Sequence, residues 1–235
     1  MQASVKDDFK KEVFIVIPAY NEEKNIGKVI EDLHKHGYKN IIVVDDGSID
    51  KTYEIAKRKG CMVLRHITNL GQGAALRTGI KFALLKNAKV IVTFDADGQH
   101  LAKDIENLVK PIIFDDYDVV LGSRFLKKDS NIPIIRKIVL KLGVLFTRLI
   151  SGIKVTDTHN GLRALSNYAA KKIKITMNGM THASEILDEI VRNNLKYKEV
   201  PVTILYNDET LKKGQSSLNS IRIAIKMINK KLFGR

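Results

Sequence analysis

The chain of 235 residues is poor in sulfur and in aromatic side chains. It has one cysteine, no tryptophan and an aromatic content of 6%. Cys61 alone cannot form an internal disulfide, so we expect a protein of a reducing compartment such as the cytoplasm. With so few rings, the sequence offers little for stacking on nucleic-acid bases. It also shows no signal peptide and no apolar run of about 20 residues, so no transmembrane helix is expected.

Charge is unbalanced toward the positive side. The chain has 40 Lys and Arg residues against 26 Asp and Glu residues, a formal net charge of +14. This excess predicts an anionic partner, which is nucleic acid, acidic lipid or a phosphorylated substrate. Nucleic acid is the least favoured of the three, because the basic residues do not alternate with aromatic residues and no recognition motif is present.

Up to residue 124, short apolar runs alternate with segments that have helical spacing. The expected strands cover 13–17, 41–44, 61–64, 90–94 and 118–121, and Pro18 is expected to end the first. This alternation predicts an α/β fold, a Rossmann-like, doubly wound and mostly parallel sheet flanked by helices. The run at 61–64, which includes Cys61, is expected to be a buried strand.

After residue 124 the pattern changes, although no repeat or linker separates the two parts. We expect a helical stretch over 133–150, an irregular segment over 157–161, a helix over 185–191, a strand over 197–205 and a last helix from 218. The chain is therefore predicted to be a single domain over residues 1–235.

The most informative stretch is the buried run that ends at two carboxylates, Asp95 and Asp97. In open α/β sheets, ligands bind beyond the carboxyl ends of the strands, where these two side chains and the amide of Gln99 are expected. Mg²⁺ and Mn²⁺ take such oxygen ligands and share them with substrate phosphates. A simple turn is the alternative. A calcium loop is excluded because His100 occupies the position that requires glycine.

Two further strand ends carry acidic residues. Asp45 and Asp46 follow the second strand, and Glu22 lies just beyond Pro18. Turn formation and helix capping also explain Asp45 and Asp46. Three acidic strand ends on one edge nevertheless suggest a nucleotide and metal site.

These segments together resemble the family 2 glycosyltransferases of the GT-A fold, and most closely the polyprenyl- or dolichyl-phosphate sugar synthases. The resemblance covers about residues 13–220 and follows the family's motif order. Its main motifs are Pro18-Ala19-Tyr20-Asn21-Glu22, Val43-Val44-Asp45-Asp46-Gly47-Ser48, Asn69-Leu70-Gly71-Gln72-Gly73, Asp95-Ala96-Asp97-Gly98-Gln99-His100, Gly122-Ser123-Arg124, Asp157-Thr158-His159-Asn160-Gly161-Leu162-Arg163 and Lys213-Gly214-Gln215-Ser216-Ser217.

The resemblance implies a role for each matching residue. The nucleotide of a GDP- or UDP-linked sugar would be held by Pro18, Tyr20, Glu22, Val44, Asp46 and Ala96, with Lys213 closing over the diphosphate. Mg²⁺ or Mn²⁺ would be bound by Asp95, Asp97 and Gln99, and the phosphate of the lipid acceptor by Arg124 and Arg136. Asp97 and Arg124 would be the catalytic residues.

The implied reaction is a single displacement that inverts the anomeric centre. The acceptor phosphate is already ionised at neutral pH, so no general base is needed. The late loop around Lys213 departs from the mannosyl-transferring members, which leaves mannose, glucose and N-acetylglucosamine open. A different acceptor and a sugar-phosphate nucleotidyltransferase remain alternatives. Residues 12–124 would form the nucleotide-sugar half and 125–217 the acceptor half, followed by an amphipathic helix over 218–235.

The acceptor implies a location at the cytoplasmic face of an anionic membrane. In 133–150, Lys137, Lys141 and Arg148 are predicted to form a basic helical face, and the helix at 218–235 has a similar pattern. Packing of these helices on the domain is the alternative. The isolated histidines His100, His159 and His182 are expected to make hydrogen bonds within loops.

Overall fold

A computed structural model of the protein describes residues 8–127, 141, 144, 148 and 152–205. The strands are β1 (Val13–Ala19), β2 (Asn40–Asp45), β3 (Met62–Arg65), β4 (Val90–Thr93), β5 (Val119–Ser123), β6 (Arg163–Ser166) and β7 (Tyr197–Pro201). The α-helices are α1 (Ile26–Lys35), α2 (Thr52–Arg58), α3 (Gln72–Leu85), α4 (Ile105–Phe114), α5 (Asn167–Lys172) and α6 (His182–Arg192).

The strands form one sheet in the order β3-β2-β1-β4-β6-β5-β7. Every neighbouring pair is parallel except those that involve β6, which runs antiparallel to both β4 and β5. The predicted mostly parallel α/β sheet is confirmed. One edge of the sheet therefore collects the carboxyl ends of the parallel strands and the beginning of β6, and this edge carries the candidate site.

Helices cover the sheet on both faces, which explains why β1 is buried along its whole length. Ile15 and Ile17 belong to the core beside α1, α2 and α4, whereas Val16 belongs to the core beside α3, α5 and α6. This alternation follows from the two-residue period of a strand. Each fully buried isoleucine or valine contributes about 1.5–3 kcal/mol of transfer free energy.

The expectation that Pro18 ends the first strand is wrong. β1 continues to Ala19, and Pro18 pairs with Val44 of β2. Pairing with β4 already ends at Val16 and Thr93, so Pro18 has a ladder neighbour on the β2 side alone. A proline, which has no N–H group, is tolerated at such a position.

The strand expected at 61–64 is present as β3, but the expectation that it is buried is wrong. β3 is an edge strand that begins at Met62, and its first three residues are only half-buried. Cys61 precedes it, and burial raises the pKa of the Cys61 thiol to about 12. The thiol is therefore protonated and unreactive at neutral pH.

The second half of the sheet differs most from the expectation. The structure contains β6 and α5, which the sequence pattern did not indicate, and β7 ends at Pro201 rather than at residue 205. Beyond it, Ile204 forms an isolated bridge with His100. Within the described part of the chain, no helix has the length and apolar character needed to span a bilayer.

Several predicted features lie outside the described residues. These are Arg136, Lys137, Lys213, the helix at 218–235 and most of 133–150.

Candidate metal and nucleotide site

The acidic residues after β4 lie at the site edge, as predicted. Both carboxylate oxygens of Asp95 accept hydrogen bonds: Gln72 Nε2 lies 3.0 Å from Oδ1, and His100 Nε2 lies 2.9 Å from Oδ2. The side chain of Asp95 is 27% exposed, so it also faces solvent. Asp97 Oδ1 accepts the backbone N–H of Gln99 at 2.9 Å, which tightens the turn. Gln99 is tied to the segment after β7 through Leu205, whose N–H donates to the Gln99 carbonyl at 2.9 Å.

The two carboxylates differ in their electrostatic surroundings. Burial opposes ionisation of Asp95, but the hydrogen bond from His100 and the nearby charge of Arg163 outweigh it, so its pKa lies below the ordinary value. For Asp97, burial and the negative charge of Asp95 raise the pKa above the ordinary value. Glu22 adds to this repulsion. A divalent cation between the two carboxylates would relieve it.

Gly161 packs directly against Asp95. A β-carbon added at Gly161 would lie 2.3 Å from Asp95 Oδ2. The Gly161 carbonyl also accepts a hydrogen bond from Thr93 Oγ1 at 2.6 Å, which fixes this loop on the end of β4. The segment before β6 therefore leaves room for the Asp95 carboxylate only because position 161 has no side chain.

At the end of β2, Asp46 is buried and holds the loop that begins α3. Its carboxylate accepts the N–H groups of Leu70 and Gly71 at 3.0 and 2.7 Å, and it lies 2.6 Å from His66 Nδ1. Asp45 accepts the N–H of Ser48 at 3.2 Å. The Asp45 contact matches the turn interpretation, whereas neither aspartate caps α2 or α3 through its side chain. A direct contact between Asp46 and a nucleotide stays a prediction.

The dipeptide Gly71-Gln72 joins the ends of β2 and β4, since Gly71 donates to Asp46 and Gln72 donates to Asp95. Gly71 has a φ of +100°, and a β-carbon there would lie 2.4 Å from the carbonyl oxygen of Asn178. Only glycine fits this conformation and this space. The acidic strand ends therefore converge, as the sequence predicted.

The loops after β1 and β2 interlock beside this site. Ser48 Oγ accepts the N–H of Asn21, and Thr52 Oγ1 accepts the N–H of Glu22. Tyr20 is 46% exposed at this edge, whereas Val44 and Ala96 are buried among core residues. The side chains of Val44 and Ala96 therefore shape the sheet beneath the site, and Tyr20 is open to a ligand.

At the end of β5, Arg124 is buried and paired with Asp157. Its backbone N–H and its Nε lie 3.1 and 2.6 Å from Asp157 Oδ2. Glu199 of β7 in turn accepts the N–H groups of Thr156 and Asp157. The predicted acceptor residue is thus held by a network that links β5, β7 and the segment before β6.

A second buried arginine, Arg163, was not named as a site residue on sequence grounds. It donates to the carbonyl oxygens of Asn160, Thr158 and Ala183 at 3.0–3.2 Å, and among the described residues it hydrogen-bonds no carboxylate. Burial lowers its pKa to about 10, which leaves it cationic at neutral pH. Its position two residues after Gly161 was the available signal, because Gly161 contacts Asp95.

The three histidines make hydrogen bonds, as expected, but two of them are not isolated from the site. His159 bonds Thr158 Oγ1, and His182 bonds the carbonyl oxygen of Gly179. Burial lowers the pKa of both rings. His100 contacts Asp95 directly. The negative charge of Asp95 acts on the pKa of His182, where it partly offsets the effect of burial.

Comparison with known proteins identifies the family to which the chain is similar. Residues 14–174 match the family described as glycosyl transferase family 2. The chain is 36% identical to a UDP-N-acetylglucosamine--dolichyl-phosphate N-acetylglucosaminyltransferase from Methanococcus voltae, over 94% of this chain and 97% of that protein. It is 26% identical to a polyprenol monophosphomannose synthase from Mycolicibacterium smegmatis, over 90% of this chain and 83% of that protein.

Among solved structures, the fold is similar to glucosyl-3-phosphoglycerate synthase from Mycobacterium tuberculosis in complex with Mn²⁺ and uridine-diphosphate-glucose. The TM-score is 0.72 at 18% identity, over 99% of this chain and 83% of that chain. This likeness confirms the GT-A fold. Because the family match spans more than half of the sequence, the chain belongs to glycosyl transferase family 2.

Proposed function

We propose that this glycosyltransferase moves a sugar from a uridine-diphosphate donor to a polyprenyl phosphate. The observation that carries the proposal is the pair Asp95 and Asp97. They lie at the carboxyl edge of the sheet, and their environments push their pKa values apart. A divalent cation between the two carboxylates would relieve their repulsion, and a diphosphate bound to that cation is a ligand of the expected chemistry.

The donor set of this edge fits Mg²⁺ or Mn²⁺. Asp95, Asp97 and Gln99 offer hard oxygen ligands on one short loop, and such cations are commonly held by one or two carboxylates plus substrate phosphates. When bound, the cation would stabilise the charge that develops on the leaving diphosphate. The protein's own part is to hold these ligands in place and to leave one side of the loop open to the donor.

The acceptor is proposed to bind at Arg124. An oxygen of the acceptor phosphate would attack the anomeric carbon of the sugar while the bond between that carbon and the diphosphate breaks. The nucleoside diphosphate would leave with the electron pair of that bond. Because a phosphate monoester is mostly ionised at pH 7, the site needs no base to remove a proton. Arg124 is buried and its side chain is held by Asp157, so it loses little conformational entropy when it binds a phosphate. Arg136 and Lys213 keep their predicted roles in this proposal.

N-acetylglucosamine is the first candidate for the sugar. The support is the 36% identity, over nearly the full length of both chains, to a protein named for transfer of N-acetylglucosamine from a UDP donor to dolichyl phosphate. The relative named for mannose transfer is 26% identical. In the same proposal, residues 12–124 serve the donor and 125–217 the acceptor, and the protein works at an anionic membrane surface.

Nucleotide-dependent thermal stabilisation tests the donor part of the proposal. UDP and UDP-N-acetylglucosamine with Mn²⁺ should stabilise the protein, by about 2.7 kcal/mol at a ligand concentration of 100 times the Kd. GDP serves as the matched control nucleotide. Release of nucleoside diphosphate during turnover is expected, whereas release of free diphosphate would favour a nucleotidyltransferase instead.

A further inference from the structure

Gln72 and His100 are polar residues of the recognised motifs to which the proposed reaction assigns no role. Both donate to Asp95, one to each carboxylate oxygen, at 3.0 and 2.9 Å. They come from different parts of the fold, since Gln72 is the first residue of α3 and His100 ends the loop after β4. We propose that Gln72 and His100 are positioning residues, which orient the Asp95 carboxylate for a divalent cation. The inference rests on the metal site of the proposed function.

A third side of the carboxylate is covered by Gly161, whose position leaves no space for a β-carbon beside Oδ2, and the exposed side faces solvent. Asp95 is therefore held from three directions. An ionised carboxylate has about four lone-pair sites, so two hydrogen bonds leave acceptor capacity on each oxygen for a cation. Ligating carboxylates are commonly oriented in this way by hydrogen-bond donors behind them.

The His100 ring is itself fixed. Its side chain is 3% exposed, it packs edge-on against Phe94 with ring centroids 5.5 Å apart, and its backbone bridges to Ile204. Its Nδ1 atom is buried and has no hydrogen-bond partner among the described residues. The contact between Nε2 and Asp95 is therefore the hydrogen bond that holds this ring in the described part of the chain.

Gln72 is fixed by the backbone on either side of it. The preceding Gly71 donates to Asp46, and the following Gly73 donates to the carbonyl oxygen of Asn178 at 2.7 Å. The orientation of Asp95 therefore depends on how α3 is seated against the end of β2. This is a structural reason for the motif Gly71-Gln72-Gly73, in which the two glycines permit the approach and the glutamine makes the contact.

The test measures Mn²⁺ affinity directly, by electron paramagnetic resonance titration of free Mn²⁺ in the presence of UDP. For Gln72→Ala and His100→Leu we expect the affinity to fall by about 10- to 100-fold. His100→Gln places an amide N–H near the position of Nε2, and we expect it to restore most of the affinity. His34→Leu, on the exposed face of α1, is the control for loss of a histidine.

Two further measurements separate positioning from a general structural role. At saturating Mn²⁺, kcat should recover in Gln72→Ala while the KM for Mn²⁺ stays high. The double variant Gln72→Ala/His100→Leu should lose less affinity than the two single losses combined, because both act on one carboxylate.

Unchanged Mn²⁺ affinity in both single variants, with only a lower Tm, would overturn the inference. Gln72→Ala keeps the test decisive if His100→Leu does not fold, because Gln72 is only half-buried. Failure of the wild type to bind Mn²⁺ with UDP would remove the metal site itself, and this inference with it.

Discussion

Replacing Gly161 with alanine places one methyl group against the Asp95 carboxylate. The new β-carbon would lie 2.3 Å from Oδ2 and 2.8 Å from Cγ. The φ of Gly161 is not in the left-handed region, so alanine is sterically tolerated by the backbone and the effect comes from this contact alone. The carboxylate or the loop has to move.

The size of the displacement sets the expected loss. Carbon and oxygen atoms pack at roughly 3.3–3.5 Å, so Asp95 must shift by about 1 Å. Metal–ligand distances tolerate about 0.2 Å, and a misplacement of about 1 Å in a catalytic arrangement costs about 100-fold in rate. Overpacking of this kind also lowers the free energy of unfolding by about 1–3 kcal/mol.

The assay compares Gly161→Ala with Gly179→Ala by Mn²⁺ titration and by sugar transfer. Gly179 is the matched control, because a β-carbon there has no neighbour within 4 Å and its φ is also outside the left-handed region. Gly179→Ala should behave as the wild type in both measurements. Wild-type Mn²⁺ affinity in Gly161→Ala would refute the claim that the Asp95 carboxylate, in this position, binds the cation.

Four other outcomes are expected. Asp97→Asn should nearly abolish transfer at unchanged Tm, because the cation loses a carboxylate ligand and with it several kcal/mol of transition-state stabilisation. Normal turnover would exclude Asp97 from the site. Burial and the charge of Asp95 raise the pKa of Asp97, so protons compete with Mn²⁺ for this carboxylate at a higher pH than for an ordinary aspartate. The Mn²⁺ affinity should therefore weaken as the pH falls through that raised pKa. A pH titration in which the affinity improves on acidification would contradict this. Arg124→Lys should raise the KM for the lipid phosphate and leave donor affinity intact, because lysine cannot make the two parallel hydrogen bonds that a guanidinium makes to a phosphate. Asp157→Asn should act in the same direction by releasing Arg124. The protein should co-sediment with anionic liposomes at low salt, and Lys141→Glu, an exposed charge reversal, should weaken this by about 1 kcal/mol for each positive charge lost.

The first half of the fold was predictable because its signals are local. An unbroken apolar run such as 90–93 has to be covered on both faces, and the carboxylates that follow it must then lie at a sheet edge. Pro18 was expected to end β1 because proline has no N–H group to donate to a neighbouring strand. At Pro18 the β4 ladder has already ended, a fact that depends on the neighbour and not on the sequence of β1.

The contacts that complete the site are not local, and the sequence pattern does not contain them. β6 has only four residues and begins with the buried charge of Arg163, so neither its length nor its hydrophobicity marks it as a central strand. Gln72 and Gly161 meet Asp95 across sequence separations that no periodicity encodes. The motif order places these residues in the family, but only the fold shows what each one touches.

Formation of a glycolipid is the most direct test of the central claim. Wild-type protein, polyprenyl phosphate, Mn²⁺ and radiolabelled UDP-N-acetylglucosamine should yield a labelled, organic-extractable lipid, with UDP released in equal amount. Chelation of the cation should prevent this. UDP-glucose and GDP-mannose serve as parallel donors, and we expect less product from both. If no labelled lipid forms from any of the three donors with the cation present, the proposed transfer to a polyprenyl phosphate is wrong.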